Sequence, residues 1–184
     1  MKILKFLIKK PLRWFYYQFC IDIIACMPTI LGCKLRWLHL KIFSISIGKN
    51  FIAHSRVFFY SPQNLFIGDN VSFSSNNIVN AHSKLTIKDN VMVGPNCNIM
   101  TANHGFADKN IPMRDQESTT NELIINEDVW IGNGCVISSG AREVEIAKGV
   151  VIAANSVVTK SIDVPYSIWG GLRQNLLKTV RYIA

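Results

Sequence analysis

One apolar residue stands at every sixth position through most of this chain: Ile67, Phe73, Val79 and Leu85, then Ile87, Val93 and Ile99, later Ile125, Ile131 and Ile137, and finally Ile146, Ile152 and Val158. Neither the helical period of 3.6 nor strand alternation places one inward residue in six. A coil of short flat strands does, with each hexad supplying one side of a triangular prism. Gly68, Gly94 and Gly132 follow Ile67, Val93 and Ile131, and Ala147 and Ala153 take that place later. The pattern predicts tight turns at these small residues and close stacking of successive coils. The expected fold class is an all-β solenoid.

Two segments repeat almost residue for residue: Leu65-Phe66-Ile67-Gly68-Asp69-Asn70-Val71 and Leu85-Thr86-Ile87-Lys88-Asp89-Asn90-Val91. The frame restarts at Leu123-Ile124-Ile125 and Val144-Glu145-Ile146. The step from Leu85 to Leu123 is too long for one coil, so it must carry an extra loop of roughly twenty residues, and an irregular excursion of that length is more often functional than incidental. The sequence therefore divides into an N-terminal basic and aromatic helical segment at 1–44, a solenoid at 45–169 with a protruding loop at 103–122, and a C-terminal tail at 170–184.

The formal net charge of +8 is unevenly spread. Residues 1–41 hold Lys2, Lys5, Lys9, Lys10, Arg13, Lys34, Arg36 and Lys41 against Asp22 alone, and the tail adds Arg173, Lys178 and Arg181, which leaves the repeats slightly acidic. No basic groove runs along the repeats, so nucleic-acid binding is not expected. Lys2, Lys5, Lys9 and Arg13 fall on one helical face opposite Ile3, Leu4, Leu7, Ile8 and Leu12, with Pro11 breaking or restarting the helix. The charge-free run from Ile23 to Cys33 is far below the ~20 residues of a membrane span. Two readings of residues 1–41 stand together: peripheral association with an anionic membrane, and a cap on the open end of the prism.

Cys20, Cys26, Cys33, Cys97 and Cys135 form no Cys-x-x-Cys pair and read as reduced, structural thiols of a cytoplasmic protein, placed by the basic segment at the inner face of the membrane. Of four histidines, His39 and His54 read as incidental surface or packing groups, and His82 lies one coil before the loop. His104 opens the loop itself, between Asn103 and Gly105. An imidazole with a pKa near ~6.5 can accept a hydroxyl proton at neutral pH.

Three motifs in order, Asn103-His104-Gly105-Phe106, Asp128-Val129-Trp130-Ile131-Gly132 and Ala153-Ala154-Asn155-Ser156-Val157-Val158-Thr159-Lys160, make the chain resemble the hexapeptide-repeat acyltransferases. The similarity extends over residues 45–170 and is strongest to the sugar O-acetyltransferases, the branch of galactoside, maltose and polysaccharide acetylating enzymes. The resemblance implies a left-handed parallel β-helix, an exception to the usual crossover hand. It also implies a homotrimer with acetyl-CoA bound in grooves between subunits, a carbohydrate acceptor and no metal. Carried over by position, it makes His104 the general base, with Asn103 preceding it and Asn80 one coil back to orient substrate or imidazole. The backbone N–H of Asn133 would meet the oxyanion. Trp130 would shape the acetyl and pantetheine groove, and backbone groups near Ala154, Thr159 and Lys160 would hold the pantetheine.

The chain departs from the family pattern at its end. Gly170-Gly171-Leu172-Arg173-Gln174-Asn175 replaces the usual proline-containing run, which leaves Arg173 or Lys178 to meet the 3′-phosphate. Lys88 and Ala147 stand where the family commonly has glycine. A γ-carbonic anhydrase-type zinc shell is incomplete, since the fifth position after His104 is Lys109. The reading is an acetyl-CoA-dependent O-acetyltransferase acting on a sugar hydroxyl of a surface polysaccharide or its precursor. Acetylation of an amino sugar or of a small antibiotic, and a non-catalytic β-helix scaffold, remain open beside it.

Overall fold

A computed structural model of the chain describes residues 21–171 and the backbone of 175–179. Helix α1 covers Ile21–Cys26 and helix α2 covers Thr29–Phe43. Three parallel sheets then form the walls of a prism. The first comprises Ser46–Ile47, Leu65–Ile67, Leu85–Ile87, Leu123–Ile125 and Val144–Ile146. The second runs from Ile52–Ala53 through Ser72–Phe73, Met92–Val93, Trp130–Ile131 and Val151–Ile152 to Ser167–Gly170, against which Asn175–Thr179 pairs antiparallel. The third holds Phe58–Tyr60, Ile78–Asn80, Asn98–Met100, Val136–Ser138 and Val157–Val158. This is the parallel β-solenoid that the hexads imply, and it is consistent with the left-handed β-helix that the resemblance implies.

The register shows why every sixth residue is apolar. Ile67 pairs with Ile87, Ile87 with Ile125 and Ile125 with Ile146. Phe73, Val93, Ile131 and Ile152 stack in the second sheet, and Val79, Ile99, Ile137 and Val158 in the third. All are buried in one continuous core, and fully burying each such side chain contributes roughly 1.5–3 kcal/mol.

The tight turns lie elsewhere than at the glycines after the anchors. Positive φ falls three residues past the anchor, at Asn70, Asn90 and Asp128, where short polar side chains tolerate the left-handed region. These asparagines also bond to one another between coils, Asn50 Nδ2 to Asn70 Oδ1 at 2.9 Å and Asn70 Nδ2 to Asn90 Oδ1 at 3.0 Å. The glycines serve clearance instead. A Cβ on Gly132 would lie 2.7 Å from the Ala154 nitrogen in the next coil.

Helices α1 and α2 pack on the first coil and cap that end of the prism. α2 touches Ser46–Ile47, Ile52–Ala53 and the turn at Pro62–Asn64, and Leu40 is fully buried against the core. Arg36 is not part of a basic surface, as its sequence context suggests; it is buried. Its Nη1 donates to the carbonyls of Ile24, Ala25 and Met27 at 2.8–3.1 Å, and its Nε to Ala53 O at 2.8 Å. The cation thus closes the C-terminal end of α1, where carbonyls lack helical partners and the dipole favours positive charge, and ties both helices to the first coil. His39 packs beside Phe43 with ring centroids 5.1 Å apart, and burial lowers its pKa to about 4. Residues 1–20, including the stripe of Lys2, Lys5, Lys9 and Arg13, lie outside the described residues.

Candidate active site

The long excursion leaves the prism where the third sheet ends. After Asn98–Met100 the chain passes buried Thr101, whose Oγ1 accepts the Ser83 N–H at 2.8 Å. Ala102–Asn103 then pairs antiparallel with Thr119–Thr120 to form a two-stranded stem. Asn121 closes the base, donating from Nδ2 to Gly140 O at 3.1 Å and accepting at its carbonyl from Ser139 Oγ at 2.9 Å. Within the loop Gln116 acts as a clasp: its Nε2 donates to Asp108 O at 2.7 Å and Ile111 O at 2.8 Å, and its Oε1 accepts the Asp108 N–H at 3.1 Å.

His104 follows the stem directly. Its backbone N–H donates to Asn103 Oδ1 at 3.1 Å, and both side chains are exposed. The next residue has to be glycine, because a Cβ on Gly105 would collide with the Glu117 carbonyl across the stem. Asn80 lies in register with Met100 one coil below, and its carbonyl accepts the Thr101 N–H at 3.1 Å. The Asn80 Oδ1 is buried without a hydrogen-bond partner, a state with a cost of roughly 1–3 kcal/mol. That unmet acceptor lies one coil below Met100, two residues before the stem that leads to His104 begins. Tyr60 continues the same edge one coil further down, its pKa raised by burial and by the Asp22 carboxylate of α1.

Trp130 and Asn133 occupy the other side of the third sheet. Strand alternation turns Ile131 inward and Trp130 outward, so the indole stands half exposed between Met92 and Val151 on the flat second face rather than filling a corner. Asn133 forms the corner between the second and third sheets in the place that Pro95 holds one coil below, both following a stacked glycine. Its carbonyl accepts Asn155 N at 2.8 Å and its Oδ1 accepts Asn96 Nδ2 at 3.1 Å, while its backbone N–H takes no part in the ladder between coils. Ala154 occupies the equivalent exposed corner of the following coil.

Thr159 and Lys160 are not beside Ala154. They follow Val157–Val158 and so lie on the His104 edge, beyond Ser138 and Gly140. The sequence-derived residues therefore fall into two groups: Asn80, Asn103, His104, Thr159 and Lys160 on one edge, and Trp130, Asn133 and Ala154 on the other. A three-residue strand, about 10 Å long, separates them. Arg173 lies outside the described residues, and Lys178 falls in the strand Asn175–Thr179, of which only the backbone is described. Among the described residues, no cluster of three or more histidine, cysteine, aspartate or glutamate side chains could hold a metal, and no helix is long and apolar enough to cross a membrane. Cys97 and Cys135 are stacked inside the core; the hydrogen bond that the Cys97 thiol donates to Cys135, with burial, raises the Cys97 pKa.

No family model matches the chain. It is 31% identical over 117 residues to a galactoside O-acetyltransferase of Escherichia coli, covering 64% of this chain and 55% of that protein. It is 32% identical over 124 residues to a galactoside O-acetyltransferase of Lactococcus lactis, covering 66% of this chain and 56% of that protein. An Escherichia coli protein named for O-acetyl transfer in lipopolysaccharide biosynthesis is 30% identical over 130 residues, covering 65% of this chain and 64% of that protein. The chain thus spans about half the length of the galactoside enzymes it matches. Among solved structures, a maltose O-acetyltransferase of Clostridium difficile superposes with a TM-score of 0.77 at 27% identity, covering 91% of this chain and 86% of the other.

Proposed function

We propose that this chain, which is similar to the hexapeptide-repeat acyltransferases, is an enzyme that transfers acetyl from acetyl-CoA to a sugar hydroxyl, with His104 as general base. The observation that carries the reading is the pair of edges: one holds an exposed imidazole and the unmet Asn80 acceptor, and the other an exposed indole and an uncommitted backbone N–H. Acetyl-CoA supplies an acetyl thioester, an activated acyl group. Its extended amide arm suits the small-residue corner at Ala153 and Ala154, where backbone is accessible, while Arg173 or Lys178 meets the 3′-phosphate.

In this reading His104 takes the proton from the attacking hydroxyl as the new C–O bond forms at the thioester carbonyl. The Asn133 N–H supports the negative charge that collects on the carbonyl oxygen. The C–S bond then breaks and His104 returns the proton to the departing sulfur, so no acyl-enzyme is required. Asn80 accepts a hydrogen bond from the acceptor or from the imidazole, and Asn103 fixes the backbone at His104.

Because a third-sheet strand separates the two edges within one chain, one site takes the His104 edge of one copy and the Trp130 edge of another. A homotrimer meets this need, and exposed Ile52, Met92 and Trp130 on the second face and Ile78 on the third provide apolar surface for it. The acceptor is a surface polysaccharide or its precursor, in keeping with the sugar-acetylating relatives, and the work is done at the inner face of a membrane. Calorimetry with acetyl-CoA and a mass measurement in solution test this together. Micromolar binding by a species of three 20.7 kDa chains is expected, followed by acetyl transfer to a sugar hydroxyl in an acceptor screen. A monomer that ignores acetyl-CoA would overturn it, and transfer only to amines would replace the hydroxyl acceptor.

A further inference from the structure

α2 has two faces of different character. One, formed by Gly32, Arg36, His39 and Leu40, is buried toward α1 and the first coil. The opposite face carries Ile30, Leu31, Trp37, Leu38 and Ile42, all exposed, and Ile45 continues it past the helix end. At 100° per residue these fall within a continuous stripe, with Lys34 and Lys41 inside it. Ile30 is 74% exposed. A helix face with five large apolar side chains in solvent is unusual for an isolated domain. A groove of about 240 Å³ runs along its side, lined by Ile30, Cys33, Lys34, Trp37, Asn50 and Phe51.

We propose that this outward face of α2 docks in the plane of an anionic lipid surface, with Ile30, Trp37, Leu38 and Ile42 entering the headgroup boundary and Lys34 and Lys41 meeting lipid phosphates. Charge selects this occupant. The stripe holds two lysines and no acid, and Asp22 is the sole acidic residue before position 42. Lysine stems lie along apolar surface while their ammonium groups reach phosphate, and a cationic amphipathic helix rich in apolar side chains lies in the interface rather than across it. Position agrees as well. α2 packs on α1 and the first coil, at one end of the prism, with this stripe turned from both. Arg36 takes no part, since its guanidinium is committed to backbone carbonyls; its burial is what holds the face rigidly outward.

The test is co-sedimentation of the full chain with vesicles of phosphatidylcholine alone and of phosphatidylcholine with about a third phosphatidylglycerol, at low and high salt. Each lysine near an anionic surface contributes roughly fivefold to binding, so Lys34→Glu with Lys41→Glu should lower affinity for the anionic vesicles by ~25-fold or more. Leu38→Gln with Ile42→Gln should weaken binding at both salt concentrations, because apolar contact is not screened. Both double variants should keep the wild-type circular dichroism and acetyl-CoA affinity, since no altered residue lies on the His104 or Trp130 edges. Unchanged vesicle binding in both variants would place the contact elsewhere in the chain and overturn the proposal. A change in solution mass on altering the stripe would assign the face to a second copy and overturn it equally. Loss of acetyl-CoA binding by the wild type would leave this test standing, because it reads lipid and not acyl transfer.

Discussion

The wall of the prism and the loop that leaves it differ in what each position must satisfy. In the wall, Ile131 has a neighbour above and below in register and no freedom of volume, and Gly132 is fixed by the Ala154 nitrogen one coil away. In the loop, residues from His104 to Glu117 are mostly exposed, and shape comes from a few local bonds, above all those of Gln116. A repeating wall makes a rigid frame but repeats the same chemistry at each level. The loop interrupts the repeat once, and so it can put one imidazole at one height. The difference teaches that stability is lodged in the wall and, under the proposed function, proton transfer in the loop, and variants should separate them.

Wall and loop are best set apart by substitutions of graded effect. The largest change is expected from Ile131→Ala, which opens a cavity in the stacked core and should cost about 2–5 kcal/mol in chemical denaturation. Survival of full stability would mean that the stack relaxes freely and the wall is not the rigid partner. Next is the acid response of the helical cap. His39 has a folded pKa of about 4, below its ordinary 6.5, because burial disfavours the charged form. Its contribution is therefore complete above pH 6.5 and is lost as pH falls toward 4, by up to roughly 3 kcal/mol. A stability profile that stays flat between pH 6.5 and 4, or that is the same in His39→Leu, would remove this assignment.

Asn133→Pro comes third. Pro95 already occupies the equivalent corner one coil below, so the substitution deletes the backbone N–H in a place that accepts proline; turnover should fall by about 10²-fold with little change in melting temperature. Undiminished turnover would count against the oxyanion role. Smaller still is Gln116→Ala, which removes the loop's clasp. Limited proteolysis between Asp108 and Gln116 should accelerate while global stability moves by less than about 1 kcal/mol. A global loss would show that loop and wall are not separable.

The wall was legible because its physics is periodic: Ile67, Ile87, Ile125 and Ile146 announce the stack through spacing alone, and the structure pairs them in register. The turn residues were harder. Glycine after each anchor looks like a turn signal, yet its reason is clearance between coils, and the left-handed backbone belongs to asparagine at positions such as Asn70 and Asn90. Arg36 was illegible, since a buried guanidinium satisfied wholly by carbonyls leaves no partner motif in sequence. For the candidate site, order and type of residue single out His104 and Trp130 as the groups to test. Their division between two edges needs the number of residues per face in three dimensions. The unmet Asn80 acceptor likewise depends on what fails to approach it.

The most direct test compares wild type and His104→Ala in two readings on one preparation, single-turnover acetyl transfer and acetyl-CoA affinity. The account predicts a rate lower by ~10²-fold or more, with donor affinity and melting temperature close to wild type, because the imidazole stands on the loop and the proposed donor groove on the wall. An undiminished rate, or a joint loss of rate, donor binding and fold, would contradict it.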